Sequence, residues 1–67
     1  MGVLNTIDLT GVSAESWGDA ARRALAEAAR TIRHINRMDV VGTSAVVEGD
    51  VIAEYHTHVR IFFEIER

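Results

Sequence analysis

The clearest pattern in the chain is the alternation of apolar and polar residues between Val51 and about Glu66. Because successive side chains of a β-strand point to opposite faces, this pattern predicts a long strand with one buried and one polar face. Its length exceeds the usual run of about five or six residues, so we expect it to curve around its packing partner or to reach a neighbouring subunit. The predicted buried face carries Ala53, Tyr55, Thr57, Val59, Ile61, Phe63 and Ile65. The predicted polar face carries Glu54, His56, His58, Arg60, Glu64 and Glu66, with Ile52 and Phe62 as apolar exceptions.

An amphipathic helix is predicted from Ser13 to about Ile35. Apolar residues recur there at spacings of three and four, which places them on one helical face. Ser13 is the expected N-cap, because its hydroxyl can accept hydrogen bonds from the amides of the first turn. The face is mostly alanine, so we expect a sheet to approach the helix closely, with Trp17 in the core or an interface. It comprises Trp17, Ala21, Ala24, Ala28, Ile32 and Ile35, widened by Leu25 and Ala29.

Two further strands complete the predicted fold. Val3 to Leu9 forms the first, and Thr10-Gly11-Val12 is a short turn into the helix, where glycine supplies permissive backbone geometry. Met38 to Val47 forms the second, interrupted near Gly42, where a bulge or a close approach is expected. Glu48-Gly49-Asp50 is a tight turn that joins this strand to the last one as a hairpin. The prediction is an α+β fold of order β-α-β-β, a three-stranded antiparallel sheet wrapped around one helix.

Size and composition narrow the function classes. The 67 residues predict a single domain over residues 1–67, and the absence of cysteine excludes disulfides, so we expect oligomerisation to supply the missing stability. A net charge of −3 with mixed signs argues against a nucleic-acid partner. No apolar run reaches the length of a membrane span and no signal peptide is evident, so we expect a cytoplasmic protein without a membrane partner.

Four segments of the chain match the segments of one known protein family. Ile7 to Trp17 resembles the family's opening I-E-L-V-G-T-S-E-E-S-W, and Thr31 to Asn36 resembles its T-L-R-H-L-D. Glu54 to Val59 resembles E-Y-Q-V-T-L, and Phe63 to Glu66 resembles the F-R-L-E ending. The match runs over nearly the whole chain in the same order, and the predicted β-α-β-β succession agrees with it. The chain therefore resembles the dodecins, a family of small flavin-binding proteins.

The resemblance implies a hollow homododecamer that binds riboflavin or FMN at its subunit interfaces, for storage or sequestration. In the family, a tryptophan after the helix stacks on the flavin ring and a glutamine on the last strand bonds the ring's polar edge. Those positions are Arg37 and His56 in this chain, while an acidic and a basic position of the family fall on Gly42 and Ser44. The implied cofactor-binding residues are therefore Arg37, His56, Gly42 and Ser44, and the ligand site is atypical.

The residue types at these positions leave more than one chemistry open. The planar guanidinium of Arg37 can stack on an isoalloxazine or pair with an FMN phosphate, or it can simply interact with the last helical carbonyls. The imidazole of His56 can donate or accept, which would make binding sensitive to pH near 6.5. His58 shares its face, and two such imidazoles can ligate a metal, although hydrogen bonding at an interface is favoured over a metal site.

Other functions stay open at this stage. A dodecin-like assembly could bind divalent cations such as calcium, or no ligand, in place of flavin. A small enzyme or a different interaction module is a third reading, but no nucleophile stands beside a recognisable base. Asp8, Glu15 and Asp19 form no pair with evident acid–base geometry. We therefore expect a protein that is not an enzyme.

Overall fold

The computed structural model describes residues 3–65. Its elements are β1 (Leu4–Ser13), α1 (Trp17–Ala29), β2 (Ile35–Glu48) and β3 (Val51–Glu64). The strands form one antiparallel sheet in the order β1-β3-β2, so β3 is the central strand. The predicted α+β fold, a three-stranded antiparallel sheet with one helix, is confirmed.

The core lies between α1 and one face of the sheet. Ala24 and Ala28 are both 4% exposed, and they pack against Val59 and Ile61 of β3. Methyl side chains bring the helix backbone close to the strands, as the alanine-rich face predicted. Ala20, which the sequence reasoning left off that face, is fully buried, whereas Leu25 is exposed. Among residues 3–65, no helix has the length and apolar character that a bilayer span requires.

The alternation along β3 sorts its residues as predicted in the middle of the strand. Thr57, Val59 and Ile61 are almost fully buried beneath α1. The intervening positions point to the other side of the sheet, which we call the outer face. The strand ends at Glu64, so Ile65 lies beyond it and is exposed, and Glu66 lies outside the described residues.

The predicted start of the helix at Ser13 is wrong. Ser13 is the last residue of β1, pairs with Tyr55, and is buried. The N-cap is Ser16, whose hydroxyl accepts from the amide of Asp19 at 2.9 Å. Ser13 stabilises the preceding turn instead, since its hydroxyl accepts from the amide of Glu15 at 2.9 Å and donates to Asp19 at 2.6 Å. Strand pairing thus decides which of two suitable serines caps the helix.

The predicted turn at Thr10-Gly11-Val12 is also wrong, because β1 continues through these residues and extends beyond the expected end at Leu9. Gly11 has no positive φ, so the permissive backbone geometry expected of it is not what makes glycine necessary here. It provides space: a Cβ at Gly11 would lie 1.8 Å from the carbonyl oxygen of Ala20. Glycine is therefore needed here because the α1 backbone crosses β1 at this position.

The helix ends six residues earlier than predicted. Its last residue is Ala29 and its C-cap is Arg30, after which the chain turns to a left-handed residue, His34, at φ 62°. β2 then begins at Ile35, ahead of the expected Met38, because β3 offers pairing partners there, with Ile35 opposite Phe63. Pairing to the long central strand overrides the helical pattern of these residues.

The hairpin of β2 and β3 extends well beyond the rest of the protein. The last pair between β1 and β3 joins Ser13 to Tyr55, so residues 46–48 and 51–54 form a two-stranded arm. Its loop places Gly49 at φ 68°, a positive value that two-residue hairpin turns require, which confirms the predicted turn. The chain measures 51 × 19 × 13 Å, and its radius of gyration of 13.7 Å exceeds the about 11 Å of a compact chain this long.

We expect stability to fall in acid, partly through Asp19. The Ser13 hydroxyl, and then the Arg23 guanidinium, hold the pKa of Asp19 below its usual 3.8. The unfolded chain therefore binds the proton more tightly, so the stabilisation is fully present above pH 3.8 and is lost as pH falls through the folded pKa. Urea unfolding of wild type, Ser13→Ala and Asp19→Asn at decreasing pH measures this. Both variants should flatten the pH dependence, and an unchanged slope would contradict the prediction.

Candidate functional site

The outer face of the sheet carries the four residues implied as a ligand site. Gly42 and Ser44 lie on β2, opposite His58 and His56 respectively, so these two strands bring the polar end of the site together. A register shift between Val40 and Gly42 confirms the predicted irregularity beside the glycine. Ser44 is exposed and His56 is half-buried, so both can meet a molecule placed on the sheet.

Arg37 lies at the other end of the same face. It is opposite Phe62, and its guanidinium carbon is 4.0 Å from the centre of the Phe62 ring. Asp39, two residues along β2, approaches the guanidinium at 3.5 Å. The Arg37 side chain remains 60% exposed, so one side of the guanidinium is supported by the ring while much of the group is open to a ligand.

The two ends of this face are far apart in one chain. Arg37 pairs with Phe62 and Ser44 pairs with His56, and six residues of β3 separate these two levels. At about 3.3 Å per residue, the separation is about 20 Å. That is longer than the three fused rings of an isoalloxazine. One chain therefore brings His56, Ser44 and Gly42 together, but does not bring Arg37 to them.

An apolar groove opens beside Arg37 at the edge of the sheet. It has a volume of about 370 Å³ between the end of α1 and the start of β2. Leu25, Ala29, Ile35 and Met38 supply most of its lining. Leu25, Ala29 and Ile35 belong to the predicted apolar face, but α1 ends before Ile35, so the groove lies between the helix and the strand.

Both histidines of the outer face have hydrogen-bonding partners. Nε2 of His56 is 3.0 Å from a carboxylate oxygen of Glu54. Nδ1 of His58 is 2.9 Å from the Thr10 hydroxyl, and its Nε2 is 3.2 Å from the Ser44 hydroxyl. Joint ligation of a metal would require His58 to give up one of these bonds. Within residues 3–65, no three His, Cys, Asp or Glu side chains are grouped to hold a metal ion.

An ion pair crosses the middle of the outer face. Nε of Arg60 on β3 donates to Asp8 on β1 at 2.9 Å. This hydrogen bond lowers the pKa of Asp8 and raises that of Arg60, and the charge of Asp39 on β2 raises the latter further. Alternating charges on Asp8, Arg60 and Asp39 thus connect all three strands at this level of the sheet.

Three residues contact the candidate site residues, although the sequence did not predict them as part of the site. Phe62 had a visible signal, since it interrupts the polar face of the β3 pattern at the position that supports Arg37. Thr10 had none, because its contact with His58 depends on strand register. Trp17 was expected in a core or interface, but its indole N–H also donates to the carbonyl oxygen of Ser44 at 2.9 Å, and its ring meets Tyr55 edge-on.

The family assignment follows from the sequence as a whole. The family model described as Dodecin matches residues 3–66. The chain belongs to the dodecin family. No curated protein matches it at the level of sequence.

Solved dodecin structures agree with this membership. A Thermus thermophilus dodecin with an arginine-to-alanine substitution matches with a TM-score of 0.94 and 27% identity, over 100% of both chains. The dodecin of Streptomyces coelicolor matches with a TM-score of 0.94, and that of Streptomyces davaonensis with 0.93, each at 20% identity. Each match covers 98% of this chain, and 94% and 97% of the two Streptomyces chains. Backbone likeness at these identities establishes a shared dodecin fold.

Proposed function

We propose that this dodecin binds riboflavin or FMN as a hollow homododecamer and stores or sequesters the flavin in the cytoplasm without catalysing a reaction. The residues that would hold the flavin are Arg37, His56, Ser44 and Gly42, all on the outer face. Family membership supports the ligand class, and the geometry of the outer face supports the way in which it is held.

The observation that carries the proposal is the separation of Arg37 from His56. An isoalloxazine that touches both groups needs them closer than about 20 Å, so Arg37 of one subunit and His56 of another must supply one site. A ligand held in this way lies between subunits, as the dodecin resemblance implies. The exposed apolar groove beside Arg37 would also lose its contact with water in such an interface.

Arg37 is suited to stack on a flavin in place of an indole. Its guanidinium is planar and delocalised, and Phe62 supports it from below at 4.0 Å to the ring centre. An isoalloxazine on the open side would complete a stack of Phe62, guanidinium and flavin. Such a cation–π contact contributes on the order of 1 kcal/mol, less than the larger buried area of an indole would contribute.

His56 and Ser44 are suited to bond the polar edge of the flavin. They lie opposite each other on neighbouring strands, so their polar atoms face the same space. The pyrimidine part of an isoalloxazine alternates carbonyl oxygens with an N–H, and imidazole and hydroxyl can each match either group. Gly42 leaves space for the flavin ring on the outer face, because it has no side chain to project from β2 opposite His58.

We expect saturable binding of riboflavin and FMN with a dissociation constant at or below about 1 µM. Arg37→Ala and His56→Ala should each weaken it about fivefold, since each removes a contact of about 1 kcal/mol. Equilibrium dialysis measures the affinity, and flavin fluorescence gives a second signal. Preferential loss of FMN binding in Arg37→Ala would indicate a phosphate contact rather than stacking.

The matched control is Arg30→Ala. Arg30 is an exposed arginine at the end of α1, where it pairs with Glu27 at 3.2 Å. Its loss should leave flavin affinity unchanged. Unchanged affinity in both Arg37→Ala and His56→Ala would refute the assigned site, and failure of the wild type to bind either flavin would refute the proposed function.

A further inference from the structure

His58 lies at the centre of the outer face and bonds to both flanking strands. Its Nδ1 is 2.9 Å from the Thr10 hydroxyl on β1, and its Nε2 is 3.2 Å from the Ser44 hydroxyl on β2. The residue opposite His58 on β2 is Gly42, where even a methyl group would touch the ring at 4.0 Å. The imidazole can therefore pass Gly42 and reach Ser44, two residues further along.

Ser44 is held from both sides of the sheet. Its carbonyl oxygen accepts from the indole N–H of Trp17 at 2.9 Å, while its hydroxyl meets His58. The backbone position of Ser44 is thus fixed from the helix side. What His58 controls is the direction of the Ser44 O–H bond, beside the imidazole of His56.

The nitrogen of His58 that carries the proton decides whether the Ser44 hydroxyl can donate a hydrogen bond to a ligand or only accept one. A neutral imidazole has one donor and one acceptor nitrogen. With the proton on Nε2, His58 donates to Ser44, and the Ser44 hydroxyl can donate to a ligand. With the proton on Nδ1, His58 donates to Thr10 and accepts from Ser44, which then offers a ligand only lone pairs. The tautomer of one side chain thus converts Ser44 between donor and acceptor.

We propose that His58 is a positioning residue of the flavin site, which sets whether the Ser44 hydroxyl donates to or accepts from the polar edge of the flavin beside His56. The inference rests on the proposed flavin function. His58 does not itself touch the flavin. Its two hydroxyl partners hold the ring, and Ser44 transmits its hydrogen-bonding state to the ligand.

A double-mutant cycle on riboflavin binding tests this. His58→Phe keeps an aromatic ring but removes both nitrogens, and Ser44→Ala removes the hydroxyl. Each should weaken binding about tenfold, the equivalent of one hydrogen bond. Because His58 acts through Ser44, the double variant should bind no more weakly than Ser44→Ala alone. The infrared carbonyl bands of bound riboflavin should shift alike in both single variants, which a purely structural role of His58 would not produce.

Two further variants make the outcome unambiguous. Arg30→Ala removes an exposed side chain outside the outer face, where it pairs only with Glu27 in the same helix, and its affinity should stay within about twofold of wild type. His58→Thr has a hydroxyl too short to join both partners, so it should repeat the loss if His58→Phe fails to fold. Additive losses in the double variant would overturn the role of His58 while leaving flavin binding intact. A wild type that binds no riboflavin would overturn the proposed function and this inference together.

Discussion

Gly11→Ala should destabilise the protein by about 3 kcal/mol, at the upper end of what overpacking costs. The added methyl carbon would lie 1.8 Å from the carbonyl oxygen of Ala20 and 3.2 Å from the Cβ of Ala24. The first contact is with backbone, so no rotamer change can relieve it. α1 would have to move away from β1 by more than about 1 Å to restore normal contact distances.

The core has little capacity to absorb such a shift. Its buried apolar residues are Ala20, Ala24, Ala28, Val59 and Ile61, and the alanines depend on close approach for their contacts. Urea unfolding followed by circular dichroism measures the loss. Combining Gly11→Ala with Ala24→Gly should not restore stability, because the clash with the Ala20 carbonyl persists.

Gly18→Ala is the matched control, since it adds the same methyl group to another glycine. There the new carbon would lie 3.7 Å from the Arg22 side chain, an ordinary contact distance. Gly18 lies in α1, where alanine is favoured over glycine by up to about 1 kcal/mol. We expect a small gain in stability. A loss below about 1 kcal/mol in Gly11→Ala would contradict the close approach of α1 to β1.

The fold was predictable where one pattern had a single physical explanation. The alternation along β3 can arise only if its two faces meet different surroundings, and it marked Thr57, Val59 and Ile61 as core. The element ends were less predictable, because they depend on partners distant in sequence. β3 is long enough to pair with residues 10–13 of β1 on one side and with residues 35–37 of β2 on the other, so these residues form strand.

The residues of the candidate site came from the family resemblance, and their arrangement was not predictable from the sequence. A regular strand would place Arg37 and Ser44, seven positions apart, on opposite faces, and the register shift between Val40 and Gly42 brings them to the same side of the sheet. Their levels along β3 depend on register shifts between Ile35 and Arg37 and between Val40 and Gly42. Only the second shift had a signal, the glycine. The separation of Arg37 from His56 along β3, on which the proposal of a shared site rests, therefore needed the structure.

Val47→Asp should prevent assembly of the protein. Val47 lies in the two-stranded arm, where it pairs with Ile52 and is 59% exposed. Val46 and Val51 are exposed there as well, at 38% and 61%. A two-stranded hairpin is only marginally stable in water by itself, so the arm needs further packing. We infer that another subunit covers these side chains in the proposed homododecamer.

The expected loss of assembly is large because Val47→Asp weakens the interface in two ways. It removes apolar area that would be buried, and it places an unpaired carboxylate where burial costs several kcal/mol. A closed assembly repeats this loss at each equivalent interface. Size-exclusion chromatography with light scattering should show the dodecamer for wild type and a much smaller species for Val47→Asp.

Two controls separate packing from charge in this experiment. Glu48→Gln changes the net charge by one unit at the neighbouring position, and Val47→Ile keeps an apolar side chain in the arm. Both should assemble. Normal assembly of Val47→Asp would exclude the arm from the interface, and a monomeric wild type would refute the dodecamer itself.

The Val47→Asp variant should lose flavin binding together with assembly. Val47 belongs to the arm, outside the four residues assigned to the flavin, and Val47→Asp leaves Arg37 and His56 unchanged in the chain. If one chain could hold a flavin, the disassembled variant would still bind it. Because Arg37 and His56 of one chain are about 20 Å apart along β3, a separated subunit should lose the saturable binding of riboflavin. Retained affinity in the smaller species would show that the flavin is held within one subunit, and that the shared site is wrong.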